Sequence, residues 1–269
     1  MRSDMKTIAT QMRADIIEML AAAGSGHPGG SLSACDILAV LYFDKMNIDP
    51  AHPDDPDRDR LVLAKGHAAP ALYAALSQKG FIPHEDLITL RKSSSYLQGH
   101  PNMNITPGVE MSTGSLGQGL SVANGMALAG RLDKRDYYVY CIMGDGEIQE
   151  GQVWEAAMSA SHYGLDHVIA FVDHNHLQID GNNDQVMTVN PIEDKFRAFG
   201  WHVLTINGHD YEAISDAVEQ AKATKGKPTL IVAETVKGKG ISFMENEVGW
   251  HGVAPNAEQA ARALAELKA

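Results

Sequence analysis

From residue 120 onward the chain alternates short apolar runs with amphipathic stretches, and this alternation constrains the fold more than any other feature. The runs "YYVYCIM", "HVIAFVDH", "WHVLTIN" and "TLIVAETV" read as strands. Between them "GQVWEAAMSASHYG", "IEDKFRAF" and "YEAISDAVEQAKA" read as helices, preceded by "LSVANGMALAGRL" and followed by the terminal "NAEQAARALAELK". Strands that are apolar at nearly every position are buried on both faces, as in a parallel sheet layered between helices. The expected fold class is therefore α/β, a mainly parallel sheet with helices on both faces. Upstream, Ile8, Met12, Ile16 and Met19 form one stripe of a helix over residues 5–22, with Gly24 just past its end. A loop, "GSGHPGGS", leads to a second helix through "LSACDILAVLYFDKM". "RLVLAKGH" then reads as a short buried strand and "PALYAALSQKG" as a helix. The Pro/Asp-rich "DPAHPDDPDRD" is a surface loop with no shift in composition beyond it, so residues 1–269 are expected to form a single domain.

The charge balance narrows the partners. With 22 basic and 34 acidic residues the net charge is −12, which argues against nucleic acid or an anionic membrane as the main partner. Two cysteines in apolar contexts, Cys35 and Cys141, suggest no disulfide framework, and a reducing cytoplasm is the default compartment. "IIEMLAAAG" has the flavour of a signal segment, but Asp4, Asp15 and Glu18 lie upstream of it or within it, and no run approaches membrane-spanning length.

The strands "YYVYCIM" and "HVIAFVD" are joined by one helix, so the residues that follow them, Asp145 and Asn175, emerge on the same edge of the sheet. Gly144 and Gly146 let the backbone turn sharply and come close to a ligand. The N–H groups of Gly146 and Glu147, ahead of the next helix, offer a cradle for phosphate. The Asp145 carboxylate, the Asn175 amide oxygen and a backbone carbonyl near Leu177 make a half-shell of hard donors. Mg²⁺ completes such a shell with phosphate and water oxygens, so the pattern reads as a site for a metal-bridged diphosphate. Asp and Asn are also common turn residues, and spacing alone leaves both readings open.

The segment resembles the thiamine diphosphate signature, GDG followed about thirty residues later by Asn. "SGHPGGSLS", "LAKGHAAPALYAAL", "LQGHPNMNITPGVEMSTGSLGQGLSVANGMALAGR" and "GWHG" are similar, in order, to landmarks of the diphosphate-binding domain of transketolases. The resemblance implies thiamine diphosphate and Mg²⁺ as cofactors, with Ca²⁺ or Mn²⁺ as substitutes, and Asp145, Asn175 and Leu177 as metal ligands. It implies that His67 and His251 contact the diphosphate, with His251 also reaching the reacting centre. By the same resemblance His27 and His100 bind substrate hydroxyls and the carbonyl oxygen. Gly114 and Leu116 offer backbone groups to the aminopyrimidine, and Ile179 packs on the thiazolium. Glu150 and Glu155 match acidic positions near a subunit interface; a solvated helix face is the competing view. His174 and His176, in "HNH", raise a transition-metal reading, but without further ligands in view they are taken as bystanders of Asn175. His52, His84, His162, His167, His202 and His209 are read as solvated.

The resemblance also implies an absence. In that family the glutamate that activates the pyrimidine lies on a second domain, for which a chain ending at residue 269 has no room. The expectation is an amino-terminal subunit that works with a separate carboxyl-terminal subunit in an α₂β₂ assembly, transferring a two-carbon ketol unit from a ketose phosphate to an aldose. "GHPGGSLS" and "VGWHG" depart from the long single-chain members and leave the donor and acceptor sugars open. A deoxyxylulose-phosphate synthase-like or 2-oxo-acid dehydrogenase-like subunit shares the GDG–Asn pair, but the four loop histidines and "GSLGQG" favour transketolase. A non-catalytic scaffold subunit would be expected to have lost some of these residues.

Overall fold

The structure, a computed structural model, describes residues 2–268. Five strands form one all-parallel sheet: β1 (Arg60–Leu63), β2 (Val139–Gly144), β3 (Val168–His174), β6 (His202–Asn207) and β7 (Thr229–Glu234), in the order β1-β2-β3-β7-β6. A separate two-residue ladder pairs β4 (Leu177–Gln178) with β5 (Gly181–Asn182) antiparallel. The helices are α1 (Arg2–Ala23), α2 (Pro28–Ser33), α3 (Cys35–Val40), α4 (Ala69–Lys79), α5 (Gly119–Leu132), α6 (Gly151–His162), α7 (Asn183–Val186), α8 (Ile192–Ala198), α9 (Tyr211–Ala223) and α10 (Ala257–Lys268). Among the described residues no helix is long and apolar enough to cross a membrane.

Alternate residues of each strand feed two cores, as the period of two requires. Leu61, Leu63, Tyr140, Ile142, Ile169, Phe171 and Ile231 face α1, α3, α4, α9 and α10. Val62, Val139, Cys141, Met143, Val168, Ala170, Leu230 and Val232 face α5, α6 and α8. Both cysteines are free and buried. The expected α/β sandwich of layers is thus present.

Three local expectations change. The glycine-containing "GSGHPGGS" is not all loop: α2 begins at Pro28, whose fixed φ suits a first helical position. The single helix expected through residues 32–46 is broken at Ala34 and ends in a π-type turn at Leu41–Lys45. The break separates Ser33, whose hydroxyl donates to Asp173 at 2.5 Å, from Asp36, which accepts from Arg13 at 2.6 Å. Finally, the stretch after Asn175 carries the β4–β5 hairpin and α7, capped by Asn182; these elements are too short to leave a periodic signature.

At the carboxyl edge of the sheet Asp173 is fully buried and binds elements from three other parts of the chain. It pairs with Lys65, after β1, and accepts from Thr235, after β7, as well as from Ser33. Lys65 also donates to the Gly30 carbonyl at 2.9 Å. Burial alone would raise the Asp173 pKa, but Lys65 and the hydroxyl donors outweigh it and hold the carboxyl below its usual range. Its contribution to stability is accordingly present above the unfolded-state value and lost as pH falls through the folded-state one. Breaking such a pair leaves a buried unpaired charge. Asp173→Ala should therefore lower unfolding free energy by about 3–5 kcal/mol, read as the shift of the urea midpoint at neutral pH; an unshifted midpoint would refute this role.

Candidate active site

The carboxyl ends of β1, β2, β3 and β7 surround a cleft of about 340 Å³, lined by His27, His67, His251, Lys65, Lys237, Asp145 and Asn175 among others. The four loop histidines come together although they are scattered between residues 27 and 251. Ring centroids lie 5.2 Å apart for His27 and His67, 5.5 Å for His27 and His251, 5.4 Å for His67 and His251, and 6.4 Å for His27 and His100. Two glycines permit this crowding. A Cβ on Gly30 would lie 3.3 Å from His67 Nε2 and 3.4 Å from Lys65 Nζ. Gly114, with φ of 149°, lets the His100 ring approach so that a Cβ would sit 3.2 Å from it. The Tyr73 hydroxyl holds the His100 loop by donating to the carbonyls of Gln98 (2.9 Å) and His100 (3.2 Å).

All four imidazoles are pushed toward neutrality. Burial lowers His27 and His251 to about 4, assisted by Arg91 for the first and Lys237 for the second. Burial and Lys65 hold His67 well below its ordinary value, and burial and Arg91 lower His100. At neutral pH these groups therefore donate and accept hydrogen bonds without adding positive charge. Lys65 is balanced by Asp173, so the uncompensated positive charge comes from Lys237, whose Nζ reaches the Leu177 carbonyl and His251 Nδ1, both at 2.9 Å. Burial, then the neighbouring Lys65, lowers Lys237 to about 8.

Asp145, Asn175 and Leu177 meet at one turn. Asp145 Oδ2 accepts from the His176 N–H at 2.6 Å, and Asn175 Oδ1 accepts from the Leu177 N–H at 3.2 Å. Burial, followed by the nearby Asp173, raises the Asp145 carboxyl above its usual range. A carboxylate so placed gains from a cation, and the carboxylate–amide–carbonyl set is the hard-oxygen chemistry that Mg²⁺ takes. With two lysines and neutral donor imidazoles opposite, the residues fit a metal-bridged diphosphate.

Two details of the GDG turn differ from expectation. Neither Gly144 nor Gly146 is left-handed; a Cβ on Gly144 would meet nothing nearer than 3.9 Å, whereas one on Gly146 would lie 3.3 Å from Gln178 Cβ, so glycine serves close packing at 146 and not a left-handed turn. The Gly146 N–H is not an open phosphate donor, because it bonds to Asp145 Oδ1 at 2.8 Å. The Glu147 side chain folds inward and accepts from the N–H groups of Gly117 (2.9 Å) and Gly144 (3.1 Å), tying the "GSLGQG" loop to the GDG turn. Burial raises its pKa to about 7. The cradle is therefore built mainly from side chains. Leu116 and Ile179 stand at the cleft, 37% and 67% exposed. Glu150 and Glu155 are exposed, at and just inside the start of α6.

Lys65, Lys237 and Asp173 were not singled out in the sequence. The available signal was a lysine followed by glycine just beyond an apolar strand, in "LAKGH" and "TVKGKG". His209 is not a solvated loop residue: its Nδ1 lies 2.7 Å from Asp36, and its Nε2 accepts from the Val236 N–H at 2.8 Å. Arg13, bound to the same Asp36, donates to the Lys239 carbonyl at 3.1 Å. The loop that carries Lys237 is thus held on both sides of that lysine.

An α/β sheet with this oxygen turn, two lysines and a ring of imidazoles at its carboxyl edge suits the binding of a metal-bridged diphosphate. Residues 4–267 match the family "Transketolase, thiamine diphosphate binding domain". The chain is 51% identical over 265 residues to the 6-deoxy-6-sulfo-D-fructose transketolase subunit SqwG of Clostridium sp. (strain MSTE9), covering 98% of this chain and 96% of that protein. It is 45% identical to an apulose-4-phosphate transketolase subunit from Phocaeicola vulgatus, over 95% of this chain and 90% of that one. Among solved structures, transketolase from Leishmania mexicana superposes with a TM-score of 0.93 at 35% identity, covering 98% of this chain but 41% of that longer one. This chain belongs to the transketolase family and comprises its thiamine diphosphate-binding domain.

The depressed imidazoles give a direct test. Histidine-selective NMR should find His27 and His251 titrating near 4, and stability should decline as pH falls from about 6.5, the ordinary imidazole value, toward 4, because the unfolded chain takes up those protons first. Midpoints near 6.5 for both would contradict the buried, cation-flanked site.

Proposed function

We propose that this chain is the amino-terminal subunit of a two-part transketolase, binding thiamine diphosphate and Mg²⁺ and acting with a carboxyl-terminal subunit to move a two-carbon ketol unit from a ketose to an aldose. The observation that carries this reading is the gathering of four neutral imidazoles and two lysines over the Asp145–Asn175 turn. In it, Asp145, Asn175 and the Leu177 carbonyl hold the metal, while His67, His251, Lys65 and Lys237 face the diphosphate. Bound there, the cofactor would supply a carbon nucleophile and an electron sink. Gly114 and Leu116 on one wall and Ile179 on the other would contact its rings. His27 and His100, near the cleft mouth, would bind sugar hydroxyls and the carbonyl oxygen; as neutral imidazoles they can hold or pass a proton.

The partner is argued from apolar exposure. Besides Leu116 and Ile179, Met187 is 63% exposed and Val186 41%, both just beyond the β4–β5 hairpin that carries the cleft residue Gln178. Large apolar residues grouped beside a site are covered in an assembly more often than left in water. Glu150 and Glu155 would face that interface, and an α₂β₂ arrangement would place a cofactor at each junction. The two relatives' names refer to a sulfonated and a phosphorylated ketose; a sugar with a terminal anion, such as a sugar phosphate, is accordingly the proposed substrate class.

Purified chain, alone and with candidate carboxyl-terminal subunits, should be assayed for ketol transfer with thiamine diphosphate and Mg²⁺. Activity is expected only in the pair; full turnover by this chain alone would overturn the two-part reading. Asp145→Ala should abolish the rise in melting temperature that Mg²⁺ and thiamine diphosphate give the assembled pair, and an undiminished rise would remove Asp145 from the metal site. His100→Ala should lower kcat/KM by about 100-fold while leaving that melting shift intact, and wild-type kinetics would discount its substrate role.

A further inference from the structure

The two histidines that flank Asn175 are not bystanders in the structure. His174 ends β3 directly opposite Glu234 at the end of β7, so the two side chains leave neighbouring strands at the same level. His174 Nδ1 lies 2.8 Å from Glu234 Oε1. His176 has a left-handed backbone, with φ of 65°, unusual for a residue with a side chain. This conformation accompanies a close return of its ring, whose centroid is 3.9 Å from that of His174, and puts Nε2 2.9 Å from Glu234 Oε2. The three prospective donor atoms all lie within 4.8 Å of one another. The His174 side chain is 7% exposed, whereas those of His176 and Glu234 are 45% and 41% exposed, so the cluster has one closed side and one side open to water.

We infer that His174, His176 and Glu234 form a binding site for a divalent transition-metal ion of the Zn²⁺ class, separate from the oxygen turn of Asp145 and Asn175. Two imidazole nitrogens and one carboxylate oxygen suit Zn²⁺, Co²⁺ or Ni²⁺ and are a poor set for Mg²⁺, which takes oxygen. Three protein donors with one open side match sites in which water completes the shell. Bonds of roughly 2.0–2.1 Å in tetrahedral array place donors about 3.3 Å apart. His174 Nδ1 and His176 Nε2 now lie 2.8 and 2.9 Å from the carboxylate oxygens they face, so each of these two pairs opens by about half an ångström around an ion. Local strain at His176 is consistent with a functional turn, since unfavourable backbone states persist where surrounding contacts fix them. The site also has a mechanical link to its neighbour: the His176 N–H donates to Asp145 Oδ2 at 2.6 Å, so an ion on the His176 ring would fix the backbone that orients Asp145.

The probe is Co²⁺, titrated into the metal-free full-length chain in the presence of excess Mg²⁺ to occupy the oxygen turn. A visible ligand-field absorption saturating at one equivalent is expected. His176→Asn, in which asparagine tolerates the left-handed backbone, and Glu234→Gln, which keeps the side-chain shape, should each weaken Co²⁺ binding at least tenfold. Anomalous scattering from a wild-type crystal soaked in Zn²⁺ should place the ion among the three named donors, a result independent of how the variants fold. No saturable absorption, equal titrations for wild type and both cluster variants, or an ion located elsewhere, at the Asp145–Asn175 turn included, would each overturn the site.

Discussion

The buried Asp173 carboxylate is the interaction on which the rest of the cleft depends. A charge removed from water this completely is tolerated only when its lone pairs are satisfied, and here they draw in Lys65, Ser33 and Thr235. Those donors come from the end of β1, from α2 and from the segment after β7, so one charge fixes the relative positions of three walls. Lys65 in turn holds the Gly30 carbonyl, which sets α2 against His67. His67 is seated by this scaffold, whereas His251 is held by Lys237 and the His100 loop by Tyr73.

Electrostatic sorting follows from the same arrangement. Asp173 is compensated internally by Lys65, whereas Asp145, nearly as buried, is left without an ammonium of its own and with Asp173 as a repelling neighbour. Lys237 points instead at the Leu177 carbonyl and His251. The cleft therefore contains one neutralised carboxylate that builds the structure and one under-neutralised carboxylate suited to a metal ion. The surrounding imidazoles, kept neutral, do not compete for the role of counter-charge.

The sheet, its flanking helices and the meeting of Asp145 with Asn175 were legible in the sequence because apolar runs and strand–helix–strand alternation are local patterns with few structural solutions. The four loop histidines could be selected only through their glycine-bearing motifs and the family resemblance, since an isolated "GH" says nothing about where the chain returns in space. Asp173 reads as the last residue of a strand and Lys65 as part of the "RLVLAKGH" run, because a buried ion pair between residues 108 positions apart has no local signature. His176 and Glu234 are likewise 58 positions apart, and their proximity depends on β3 and β7 being neighbours, which chain order alone does not specify. The break at Ala34 and the β4–β5 hairpin were invisible for a different reason: each is shorter than the period needed to detect it.

The clamp around the Lys237 loop joins the beginning of the chain to the reaction cleft. Arg13, in the middle of α1, grips the Lys239 carbonyl and shares Asp36 with His209, which grips the Val236 amide. The first helix is thus a buttress for a lysine more than two hundred residues away, and wear at that distant support would be felt as misalignment of that lysine in the cleft.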